Sequence, residues 1–145
     1  MLTIIIRLKL KYKSNLAISL IGGSMSLVEQ TRDVLHIAEK VHKDLSSIFE
    51  KLGKESDKIR IKILLDYLSE HEMFLEKCLV EYENSCSDKI LNNWFKYGPE
   101  KKTITEIAEI DISPDSDIDD IVEKVLLIDD RLIEFYSEMK EQTNC

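Results

Sequence analysis

Only two prolines and four glycines interrupt the 145 residues. Long stretches therefore carry no breaker, which excludes a fold of many tight turns and predicts an all-α chain. Cysteine is equally scarce: Cys78, Cys86 and Cys145 form no Cys-x-x-Cys pair and leave an odd one over. That excludes a disulfide framework and a zinc knuckle, and it fits a reducing cytoplasm. No Gly-rich phosphate loop and no calcium loop with its central Gly and twelfth-position Glu is present. Basic patches are missing after Lys13, and the formal net charge is −8, so no nucleic-acid partner is expected. No apolar run is long enough to span a bilayer, so no membrane partner is expected either.

What is present is 43% hydrophobic and 33% charged residues, the balance of a globular domain able to bury a core. The first 24 residues stand apart, with four of the 20 basic residues and none of the 28 acidic ones. They form a poor signal peptide, because their apolar Thr3 to Ile6 precedes the charges. Ser26-Leu-Val-Glu29 reads as a capping box opening a helix, and Gly22-Gly23 permits a ribosome-binding codon pair just before Met25. The expected organisation is a basic and apolar extension over 1–24, absent from the protein if translation starts at Met25, and a helical domain over 25–145.

From Ser26 to Leu52, Val34, Ala38, Val41, Leu45, Ile48 and Leu52 recur at spacings of four and three, with Leu35 and Phe49 widening the stripe. Gly53 is expected to end this helix and Ser56 to cap the next. The second runs to about Glu83 through Ile61, Leu65, Leu68, Leu75, Leu79 and Tyr82. So short a connection makes the two antiparallel. A crossover follows: "SDKILNNWFKY" stopped by Gly98-Pro99, then Thr103-Ile-Thr-Glu106, a second capping-box pattern opening about two turns. Trp94, Phe95 and Tyr97 suit an aromatic plug over the bundle end or, alternatively, a partner surface. "SPDSDIDD" loads acids at a helix start, and the last helix carries Ile118, Val122, Val125, Leu132, Tyr136 and Met139 on one stripe.

Each long stripe is broken by an ionisable group near its middle: His42 between Leu35 and Phe49, Glu72 between Leu68 and Leu75, and Asp129 between Val125 and Leu132. His71 sits on the neighbouring edge. A buried charge must pair, change protonation or bind metal. Three interruptions on helices that pack together point to one shared polar site. Singly, each also reads as a hydrogen-bonded core histidine or an interface-edge acid.

"SEHEMFLEKCLVEY" and "IDDRLIEFYSEMKE" resemble the second and third long helices of rubrerythrin-like proteins of the ferritin-like superfamily, and "HKDLSSIFEKL" resembles the first. In that family a Glu precedes a Phe-Tyr pair by six and seven residues on helices one and three, while helices two and four carry Glu-x-x-His and the bundle holds two irons. The resemblance places His42 and Asp129 at the two Glu positions, Glu72 at the Glu of Glu-x-x-His and Leu75 at its His. It implies a truncated ferritin-like bundle of three long helices plus a short helical crossover, with at most three of six ligands.

The leading expectation is a non-catalytic structural or regulatory module with no cofactor. The alternative is a metal-binding protein or metal-dependent oxidoreductase using His42, Glu72 and Asp129, with His71, and with Glu39 of Glu39-Lys-Val-His42 as a further donor. Such nitrogen and carboxylate donors suit iron, manganese or zinc. Leu126, Leu127, Ile133 and Phe135 beside the last stripe predict an apolar groove covered in a homodimer, by another protein partner, or by the crossover around Trp94.

Overall fold

The computed structural model describes residues 30–95 and 101–142. Three long helices dominate: α1 Thr31–Glu55, α2 Ile59–Ser85 and α5 Ile118–Gln142. The short α3 Asp88–Leu91 and α4 Lys101–Ala108 lie between α2 and α5. Among the described residues no strand forms, and one isolated bridge joins the Gln30 and Trp94 backbones. The all-α expectation and the three long helices with a short crossover hold. The extension over 1–24, the capping box at Ser26 to Glu29, Tyr97 and the Gly98-Pro99 stop lie outside the described residues.

The first helix starts later than its sequence pattern suggests. Gln30, the residue before α1, has extended backbone dihedrals. Its entry is fixed by the Gln30 N–H donating to the Asp33 carboxylate at 3.0 Å, with the acid well placed against the helix dipole. The Thr31 N–H donates to the Asn93 carbonyl at 2.9 Å, which ties this end to the segment after α3.

The turn between α1 and α2 also departs from expectation. Gly53 lies inside α1, and a Cβ there would stand 3.0 Å from Asp66 Oδ1 and 3.4 Å from Leu65 Cβ. The glycine marks close approach of two helices, not a stop. Ser56 accepts the Lys58 N–H at 3.3 Å and bridges the connection, while Lys58 is the residue flanking α2. The helices are antiparallel as expected: Ser46 meets Ser69, His42 meets Glu72 and His36 meets Glu83, one number rising as the other falls. Ser46 and Ser69 each donate a hydroxyl to the other's carbonyl, at 2.9 and 2.8 Å.

On α5 the buried apolar positions are Ile121, Val125, Ile128, Leu132 and Phe135. The expected stripe shared Val125 and Leu132 but took Val122 and left out Phe135. One residue is about 100° of helix rotation, and Val122 is accordingly exposed while Phe135 enters the core. Asp117 accepts the Asp120 N–H at 2.8 Å, so the acids here do cap the helix. The crossover contributes more apolar surface than its two-turn pattern implied. Ile104, Ile107, Ile110 and Ile112 join the cluster that includes Leu45, Phe49 and Leu65. The aromatic pair divides, with Phe95 in the core and Trp94 62% exposed.

Candidate functional site

The three polar interruptions are all buried: His42 is 2% exposed, Glu72 0% and Asp129 2%. The α1–α2 register sets His42 against Glu72, with Nδ1 and Oε2 2.5 Å apart. A carboxylate can only accept, so Nδ1–H is the donor. On the other side of the ring, Nε2 lies 2.6 Å from the Tyr136 hydroxyl, which donates to it when the imidazole is neutral. The His42 and Tyr136 rings are nearly parallel, with planes 9° and centroids 6.1 Å apart, and Phe135 packs edge-on against Tyr136. A chain from Glu72 through His42 to Tyr136 therefore links α2, α1 and α5.

Its electrostatics are one-sided. Glu72 Oε1 is buried without a hydrogen-bond partner. Burial, and secondarily the nearby Glu72 charge, hold the Tyr136 phenol well above the usual tyrosine range, so it stays a proton donor. Asp129 lines a cavity of about 430 Å³ together with His42 and Tyr136. Leu75, Leu79, Leu132 and Ile133 supply its apolar wall, and Cys78, Ser137 and Lys140 complete it.

His71 is not part of this arrangement. It stacks on Tyr67 one turn away, centroids 6.1 Å apart, and its Nε2 is buried without a hydrogen-bond partner. Glu39 also points elsewhere. Among the described residues, the one group of three His, Cys, Asp or Glu side chains with donor atoms all within 4.8 Å is His36, Glu39 and Glu83. His36 Nε2 lies 3.1 Å from both Glu83 oxygens. Burial and then the facing Glu83 raise the Glu39 pKa, His36 acting in the opposite sense.

Sequence reasoning passed over Tyr136 as the partner of His42; it named Glu39 as a donor beside His42 and passed over His36 and Glu83. A tyrosine on a buried stripe needs an acceptor for its hydroxyl, and His36-x-x-Glu39 shares one helix face. Those signals were available. The assignment of Glu83 to the same place needed the interhelical register. Compared with family models, with curated proteins and with solved structures, the chain shows no match.

Proposed function

We propose that the chain is a non-catalytic structural or regulatory helical module, rubrerythrin-like in descent, whose three long helices are tied by Glu72, His42 and Tyr136 where a ferritin-like bundle would hold metal. The observation that carries this reading is that both ring nitrogens of His42 are committed to protein groups. His42 could serve a metal only by releasing Glu72 or Tyr136. Leu75, at the position the resemblance assigns to a histidine, is an apolar wall of the cavity.

A structural tie has an energetic signature. Removing the partner of a buried charged group costs about 3–5 kcal/mol, because the charge is left uncompensated, whereas replacing both members with apolar groups is often neutral or better. In a His36→Ala background, His42→Leu and Glu72→Leu should each lower denaturation stability by that order, and the double variant should recover most of the loss. Chelator should leave the melting curve of the His36→Ala background chain unchanged.

The second reading, a metal-binding protein or metal-dependent oxidoreductase, is favoured by the unpartnered Glu72 Oε1 and by Asp129 sharing the cavity with His42. Bound iron, manganese or zinc found by elemental analysis in that same background, lost in Glu72→Gln, would replace the structural reading with this one.

A further inference from the structure

We propose that His36, Glu39 and Glu83 form a binding site for one divalent first-row transition-metal ion at the outer edge of the α1–α2 pair. This does not rest on how His42 and Glu72 are read, since the two sites share no residue.

The donors are brought together by the fold. His36 and Glu39 are one turn apart on α1, and the antiparallel register carries Glu83, near the end of α2, to the same face. One donor atom from each lies within 4.8 Å of the other two, and the His36–Glu83 separation is 3.1 Å. Metal–donor bonds of about 2.1 Å in tetrahedral geometry place donors roughly 3.4 Å apart. Modest rotamer adjustment would therefore let all three meet one ion.

Two carboxylates against one imidazole leave the cluster net negative. Glu39 and Glu83 face each other closely enough to share a side-chain hydrogen bond, and Glu76 adds a further negative group that acts on Glu39. Glu39 Oε1 is shielded from water yet has no hydrogen-bond partner. A doubly charged ion would balance two carboxylates and give that oxygen a partner. His36 is half exposed, its side chain at 54%, so water can complete the coordination. One imidazole with two carboxylates, and no thiolate, suits zinc, manganese or cobalt better than calcium, which prefers an all-oxygen shell. Bound there, the ion clamps the first turns of α1 to the last turns of α2.

Isothermal titration of the full 145-residue chain with zinc chloride, and separately with cobalt chloride followed by visible absorption, tests the site. The expected result is one saturable equivalent, with cobalt bands that lack thiolate charge-transfer intensity. His36→Ala, Glu39→Gln and Glu83→Gln should each weaken binding at least tenfold, while the His42→Leu/Glu72→Leu double variant binds as the parent does. Circular dichroism confirms that these near-surface variants stay folded. Absence of a saturable equivalent, or binding that survives all three single substitutions, overturns the assignment. Binding abolished by Glu72→Gln but kept by His36→Ala overturns it as well and moves the metal to the interior site.

Discussion

At the scale of single residues, the interior of this protein is organised by one histidine that satisfies two partners. Tyr136 is the partner with a pH signature. Its folded pKa is raised, so its contribution to stability is complete below the ordinary tyrosine value of about 10 and is lost as pH rises beyond it, where the unfolded chain gives up the proton first. Alkaline denaturation should therefore steepen above pH of about 10, and Tyr136→Phe should flatten that loss. The same variant should cost about 1–3 kcal/mol at neutral pH by leaving His42 Nε2 without its donor. Chemical denaturation followed across the alkaline range decides it; an unchanged slope in Tyr136→Phe would show that the phenol does not report on folding. That His42, Glu72 and Asp129 interrupt the faces to be buried was legible from stripe position; that both acids are enclosed and not at an interface edge was not. Their pairing was not, because a hydrogen bond between helices depends on side-chain reach across an interface that periodicity does not describe.

At the scale of elements, the three long helices and their antiparallel start were written in the spacing of apolar residues, and the boundaries were not. Gly53 shows why. Read locally, a glycine after Leu52 is a helix stop; in the structure it is the point where α1 presses on Leu65 and Asp66 of α2. Local propensity and close packing leave the same letter in the sequence. They predict different mutational outcomes. At a helix terminus with left-handed backbone, alanine would be strained, whereas inside a helix it gains about 1 kcal/mol over glycine. The added Cβ meets the far end of the exposed Asp66 side chain, which can move aside, and an ordinary contact with Leu65. Gly53→Ala should thus raise stability by about 0.5–1 kcal/mol. Gly53→Val should lower it, since its branches cannot avoid Leu65 and the Lys62 carbonyl behind it. Urea unfolding of both variants checks the pair; a destabilised alanine variant would return Gly53 to a terminating role. The crossover was underread for a related reason: its isoleucines fall partly outside a helix, so no single period reveals that they face the core.

At the scale of the whole molecule, the described surface leaves apolar side chains where helix pairing should cover them. No helix among the described residues is long and apolar enough to cross a membrane. On α5, Val122, Leu126 and Ile133 are exposed at 38, 41 and 42%, and Ile133 also forms the rim of the cavity beside His42. On α2, Ile59, Ile63, Tyr67 and Phe74 make a second exposed stripe on the side away from the core. The two differ in shape. The α5 face opens into a cavity walled by Leu75, Leu79 and Leu132, which a partner side chain can enter, and inserted apolar anchors carry most of the energy of such interfaces. None of these α2 side chains lines that cavity. Two-fold pairing of chains through α5 is the outcome to test, against the about 800 Å² on each partner that an ordinary stable interface buries. Ile133→Lys and Leu126→Lys should convert the dimer to monomer in light scattering coupled to size exclusion, with Ile63→Lys leaving it intact. A parent chain that is monomeric at high micromolar concentration, or a dimer dispersed by Ile63→Lys alone, would remove α5 as the contact.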